Sequence, residues 1–526
     1  MKAIKTISIS MIMIAILCSG NAEKGGILPV YGAVQSADSE SSPPLFTMAD
    51  AGAYDLFTNN VDGYRLSVDK GMRVDMSLSS VCAVLENGHK RIEIYKQDLR
   101  GIGKTSYINY SNRFLNNRVD HRLQLPTVSK RLGRYNVSVT AWSRGKLARV
   151  ENDQNNYVCL ELAEGNYIYT IFVKADAPVF LPEEYEYLAR GFATFKPIVS
   201  PQIVKTAPVE TGDRDWNEET ELFFNAYFND TAPLRWGIFE PRTNWLDYSR
   251  LTYYEETFSY EFTILLDYTH FQNKSGHTGL KQKLDLAYAR GKTLELTLQT
   301  IGTGEGGGNM VYEILNGEYD AFLRDYAEVI ADFGHPVLFR LGNEMNGDWC
   351  QYSSWYTAKD TAIFREFYRY VYGFFQEAGA RNVIWIWNPN SRSYPDFQWN
   401  NELMYYPGDG YVDVIGLTAY NTGTYYRKYG EKWQRFDELY DGLYLRYLSL
   451  FGQPLMITEF ASASMGGDKE EWVAAMFGHI AALDQIKVAV WWDSCDYDAE
   501  GKVSRSYVLD ETPGLMDIFR KNLASN

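Results

Sequence analysis

The chain has 526 residues, 45% of them hydrophobic, enough for two or three domains with sizeable cores. Its formal net charge of −16 argues against nucleic-acid binding and against a basic membrane-surface patch. The aromatic load (40 Tyr, 27 Phe, 13 Trp) is mostly core material, but exposed rings of this kind also stack on the apolar faces of pyranose sugars.

Residues 1–22 read as an export signal: Lys2 and Lys5 precede an apolar run at 7–17, and Gly20-Asn21-Ala22 offers small residues for cleavage. The run is short for a bilayer span, so no transmembrane span is expected in the mature chain. Cys18 raises lipid anchoring as an alternative, but Leu17 before it is large for that signal. A secreted or cell-surface protein is expected. Export leaves Cys82, Cys159, Cys350 and Cys495, without metal-ligand spacing. Cys82 and Cys159 are a candidate disulfide that the sequence does not establish.

The stretch 23–45, with Gly25-Gly26 and Pro43-Pro44, suits a flexible tether. From 46 to 180 short alternating runs such as Arg91-Ile92-Glu93-Ile94-Tyr95, separated by Asn/Gly/Asp turns, predict an antiparallel β-sandwich. It suits a carbohydrate-binding module and a structural domain packed on its neighbour equally well. A connector follows at 181–232, with an acidic helix-like stretch at 216–228. From 233 to 526 apolar strand-like runs alternate with amphipathic helices. The runs fall at 235–239, 261–266, 293–299, 336–341, 382–387, 412–417, 454–458 and 488–492. Helical stripes lie at Tyr319, Phe322, Leu323, Tyr326, Ile330 and Phe333, and at Phe364, Phe367, Val371, Phe374 and Phe375. Eight strands predict an α/β fold, a (β/α)8 barrel. A doubly wound open sheet is the alternative, but no Gly-x-Gly-x-x-Gly follows a strand to support it.

In such barrels chemistry sits at the C-terminal strand ends. There the polar content concentrates: Asn343-Glu344, Trp387-Asn388, Thr418-Ala419-Tyr420-Asn421, Thr458-Glu459-Phe460 and Trp491-Trp492-Asp493. Strand alternation points Arg340, Gly342 and Glu344 one way, with the Gly leaving room beside the carboxylate. Glu344 and Glu459 thus face each other from opposite sides of the mouth. Facing carboxyls are what glycosidic cleavage needs, one protonated for the leaving oxygen and one ionised for the anomeric carbon. Repulsion and burial separate their pKa values. Trp349, Trp387 and Trp492 are candidate stacking platforms, and Asn343 and Asn388 candidate partners for sugar hydroxyls. The glycine-rich stretch 302–309 lacks the ending of a phosphate loop and reads as a mobile loop over the cleft, with plain flexibility as the alternative. His270 is a candidate cleft residue.

The stretch 340–349 together with Ile457-Thr458-Glu459-Phe460 resembles glycoside hydrolase family 26, the β-mannanase family, over about 233–526. The resemblance implies Glu344 as acid/base, Glu459 as nucleophile, Tyr420 hydrogen-bonded to the nucleophile and Trp492 as the floor of the reacting subsite. Retaining pairs of this kind lie about 5–5.5 Å apart, inverting ones about 6.5–9.5 Å. One departure is Asn343, where mannanases of the family carry His. Asn at this position is the pattern of the wider clan, many of whose members cut glucose-configured chains, so the change raises β-glucan beside mannan. The expectation is a monomeric retaining endo-β-glycanase. It would act on β-1,4-linked or mixed-linkage glucan, or on mannan, with no metal or organic cofactor. A catalytically silent sugar-binding protein and a transglycosylase are the alternatives.

Overall fold

The structure is a computed structural model and describes residues 43–202 and 214–524. The expected export signal, Cys18 and all but the end of the tether lie outside the described residues.

The N-terminal part is a sandwich of two antiparallel sheets. The smaller has four strands in the order Phe46–Ala51, Tyr54–Asn59, Tyr64–Val68 and Ala193–Thr194. Its last strand comes from the stretch expected as connector and pairs with Tyr64–Val68. The larger has seven, in the order Arg73–Asp75, Cys82–Glu86, Lys90–Asp98, Tyr167–Ala175, Asn156–Glu164, Tyr135–Arg144 and His121–Leu132. Period-two alternation gives this sheet two apolar faces. Ile92, Ile94, Val137, Val139, Leu160, Ile171 and Val173 pack against Phe57, Tyr64 and Leu66 of the smaller sheet. Tyr95, Trp142, Tyr157, Cys159 and Phe172, on the opposite face, join the core of the following domain. The sandwich is therefore packed against the barrel through a whole sheet face. Cys82 and Cys159, three strands apart in this sheet, are free thiols, as are Cys350 and Cys495.

The C-terminal part is a closed barrel of eight parallel strands. They are Arg235–Phe239, Ile264–His270, Thr293–Gln299, Val337–Leu341, Val383–Trp387, Val414–Thr418, Leu455–Phe460 and Ile486–Trp492. Each expected run overlaps one of them. The second differs most, beginning later than 261 and running on through polar residues. Polar side chains are tolerated there because Asp267 pairs with Lys283 and Thr269 donates to the Thr297 carbonyl at 3.0 Å.

Alternation again sorts the side chains. Ile264, Leu266, Leu338, Ile384, Ile386, Val414, Met456, Val488 and Val490 fill the lumen, and the helix Glu218–Phe228 closes its lower end with Phe224 and Phe228. The intervening positions meet the surrounding helices, among them Asp320–Phe333 and Thr361–Glu377, which bury the two predicted stripes. Together these layers leave the upper end of the lumen to polar side chains.

Candidate active site

The fourth strand ends at Leu341, and the chain then turns sharply. Gly342 (φ 56°) and Glu344 (φ 54°) both take left-handed backbone conformations. Gly suits the first position, since a Cβ there would meet the Phe364 ring at 3.0 Å. For Glu344 the conformation is strained, a feature that clusters at functional sites. Its amide donates to the Asn388 carbonyl at 2.7 Å, and its carbonyl accepts from Gly347 at 2.9 Å. Glu344 is therefore aimed by a backbone turn, and simple strand alternation carries only as far as Arg340.

The Glu344 carboxyl accepts from Trp349 Nε1 at 3.0 Å and from Asn390 Nδ2 at 2.7 Å. Burial, reinforced by the nearby Glu459 charge, pushes its pKa up to about 7, against the pull of those two donors and of Arg340. Glu344 thus keeps its proton well past the ordinary carboxyl range.

Glu459, on the seventh strand, is only 4% exposed and lies at the floor of the mouth. It accepts from Arg340 Nη2 at 2.9 Å and from the Tyr268 hydroxyl. Arg340 is wholly buried. Its Nε donates to Thr297 Oγ1 at 2.8 Å and its Nη1 to Asn388 Oδ1 at 2.9 Å. A buried guanidinium is costly unless paired and hydrogen-bonded, and this one is both. Below it lies Glu295, also wholly buried, with Oε1 at 3.4 Å from Arg340 Nε. Burial, with the Glu459 charge adding to it, pushes Glu295 up to about 8. At neutral pH Glu295 therefore stays protonated and leaves the Arg340 charge to Glu459.

The other sequence-predicted residues divide. Trp349 touches Glu344 as described. Trp492 is partly exposed, stacked on Phe239 (5.4 Å, 21°) and met edge-on by Tyr420 (6.1 Å, 89°). The Asn343 side-chain oxygen accepts from Gln299, and its carbonyl accepts from the Tyr352 hydroxyl at 2.6 Å.

Three expectations are corrected. Trp387 is fully buried on the helix-facing side of its strand, edge-on to Tyr406 at 5.1 Å, because Ile384 and Ile386 take the lumen face. Asn388 is also fully buried, bonded to Arg340 and to Thr418 Oγ1 (2.9 Å), so it positions the floor and does not meet sugar hydroxyls. The hydroxyl bond to Glu459 comes from Tyr268 of the second strand, where Tyr420 was expected. Tyr268, Asn390 and Glu295 were missed. Continuing the alternation Ile264, Leu266, Tyr268, His270 past the apolar run would have found the first.

His270 lies level with Gln299 on the cleft side, and burial lowers its pKa to about 4, so it is neutral at neutral pH. The glycine-rich stretch is pinned at its end, where Asn309 donates its amide to Asp120 Oδ2 at 2.8 Å and its side-chain nitrogen to the Gln351 carbonyl at 2.7 Å. Among the described residues no group of three or more His, Cys, Asp or Glu side chains is arranged to hold a metal ion.

A parallel barrel with two carboxyls of unlike environment at its mouth has the layout of a barrel glycosidase. The model of the family described as Glycosyl hydrolase family 26 matches residues 300–483, which include Glu344 and Glu459. Over that stretch the barrel is similar to glycosyl hydrolase family 26. It is similar to Endoglucanase H of Acetivibrio thermocellus, 31% identical over 183 residues, covering 34% of this chain and 20% of that protein. It is also similar to a mannan endo-1,4-beta-mannosidase of Bacillus subtilis, 36% identical over 97 residues, covering 18% of this chain and 25% of that one. The chain thus spans a quarter or less of the length of these two relatives. The solved catalytic domain of a Bacillus sp. family 26 endo-beta-1,4-mannanase has 16% identity and a TM-score of 0.45, covering 61% of this chain and 93% of that one. The fold assignment rests on the barrel's own strand pairing.

Proposed function

We propose that the protein is a retaining endo-β-glycanase, acting as a secreted or cell-surface monomer on a β-linked glucan or mannan. The observation that carries this reading is the pair Glu344 and Glu459. One is held protonated to about pH 7, and the other lies beside a buried guanidinium. Glu344 gives its proton to the glycosidic oxygen as that bond breaks, while a Glu459 oxygen bonds to the anomeric carbon. Glu344, now ionised, takes a proton from water, whose oxygen displaces Glu459 and restores both groups. Trp492, rigidly braced by Phe239, suits the apolar face of the reacting sugar. The named relatives include both an endoglucanase and a mannosidase, in keeping with glucan and mannan as the two substrate candidates. Purified protein on barley glucan, carboxymethylcellulose and galactomannan tests the reading; activity on none of them overturns it.

Because Glu344 must carry its proton, kcat/KM on polymer is expected to fall as pH rises through about 7. Glu344→Gln should remove this alkaline limb and lower the polymer rate about 10²–10⁴-fold. It should spare the first step on aryl glycosides with good leaving groups, which need no acid. Rate–pH profiles on both substrate types check this.

Trp245 adds a second expectation. It lies on a short turn after the first barrel strand, on the mouth face, and is 83% exposed. Read as a distal stacking platform, it should affect binding of long chains alone. Trp245→Ala is expected to raise KM for polymer several-fold with kcat unchanged, as loss of uniform binding does.

A further inference from the structure

The stretch 342–360, between the fourth strand and the helix Thr361–Glu377, carries both Glu344 and Trp349. It contains no regular helix or strand, and Ala358 (φ 59°) and Lys359 (φ 61°) are left-handed just before the helix begins. Such a segment needs outside ties to hold one shape, and many of them come from the N-terminal sandwich.

Three ties reach it from that direction. Near the middle, the Tyr110 hydroxyl, from the short helix Lys104–Ser111, donates to Asp348 Oδ2 at 2.7 Å. The Asp348 carbonyl accepts from Tyr356 at 2.6 Å, so the peptide leading into Trp349 is held from both sides. At the far end, Asp360 caps the following helix through Ala362 N at 3.1 Å. The same carboxyl accepts from Lys174 Nζ at 2.6 Å and from the Tyr157 hydroxyl at 3.1 Å. Lys174 also donates to Glu93 at 2.9 Å, and both its side chain and that of Asp360 are almost wholly buried. Thirdly, Asp120 of the sandwich holds Asn309, which in turn donates to Gln351 in the loop.

Buried ion pairs add little net stability, but losing one partner is severe, so they fix geometry. The large sheet thus carries charged groups on its barrel-facing side where an apolar face alone would have sufficed for adhesion. From these contacts we infer that the sandwich is a working part of the active site, with Tyr110 as a positioning residue that acts on Glu344 through Asp348 and Trp349. The sandwich sets the place of the Trp349 indole, and the indole sets the orientation of the proton-donating carboxyl. This rests on the acid role proposed for Glu344.

The test uses the full chain with Tyr110→Phe, Trp349→Phe and the double substitution. Each is assayed on the polymer the parent cleaves and on an aryl glycoside with a good leaving group. Tyr110→Phe is expected to lose about tenfold on the polymer, the scale of one hydrogen bond to a charged group, and less than twofold on the aryl glycoside. The double variant should be no slower than Trp349→Phe alone, because both act along one line. Equal losses on the two substrates, additive losses in the double variant, or parental rates in Tyr110→Phe would overturn the inference. A parent that cleaves neither substrate refutes the proposed function. Amide hydrogen exchange over 343–360 then decides the tie itself: faster exchange in Tyr110→Phe supports it, and unchanged exchange overturns it.

Discussion

Glu459→Gln is expected to abolish turnover on activated and unactivated substrates alike, by about 10⁴–10⁶ in kcat, the scale seen when other enzymes lose their nucleophile. The amide is isosteric and can still accept from Arg340 and Tyr268, so the fold should persist and near-ultraviolet circular dichroism should match the parent. What is lost is the oxygen proposed to bond to the anomeric carbon. This profile contrasts with that of Glu344→Gln, whose deficit depends on the leaving group. A Glu459→Gln protein retaining even a hundredth of parental kcat on an activated aryl glycoside would show that the nucleophile is elsewhere. In that case Glu295, the third carboxyl of the lumen, would be the group to examine.

Arg340→Met should be the most disruptive single change to the barrel itself. Methionine fills much of the volume but supplies no donor, so Glu459 loses its cation and Thr297 and Asn388 lose a hydrogen-bond partner. Breaking a buried pair from one side typically costs about 3–5 kcal/mol. That is a large fraction of the marginal stability of a domain. The sign of its pH dependence follows from the carboxyls left behind. Without Arg340, the coulombic effect that lowers the Glu295 pKa is gone, so the native variant holds that proton to higher pH than the native parent does. Stability of Arg340→Met should therefore fall, relative to the parent, as pH rises from about 7 to about 9, through the parent's Glu295 pKa of about 8. Denaturant midpoints at the two pH values measure it; a pH-independent deficit would mean that the loss is packing alone.

The barrel was legible because its strands are buried on both faces and so read as continuous apolar runs. That same continuity hid which face each residue takes. Trp387 and Asn388 sit at a run's end like Glu344, yet one faces the helices and the other is sealed beneath the floor. Only a lumen neighbour such as Ile386 distinguishes them. The two glutamates could be read from position, whereas Tyr268 lay beyond the apparent end of its run, in a strand whose polar tail is supported by Lys283 and Thr297. The barrel-facing side of the large sheet was obscured for a related reason. Glu93, Glu161 and Lys174 look like solvent-facing residues in the sequence, but their partners, among them Asp360 and Lys359, lie far along the chain.

The left-handed backbone at Glu344 has a bearing on how this protein can be improved. An L-residue with a side chain pays roughly 1–2 kcal/mol to adopt that shape, and glycine would adopt it with ease. The substitution most comfortable for the main chain is thus the one that discards the proposed proton donor. Screens for heat tolerance alone would drift toward it, so any hardening campaign on this fold should select for product formation at the same time.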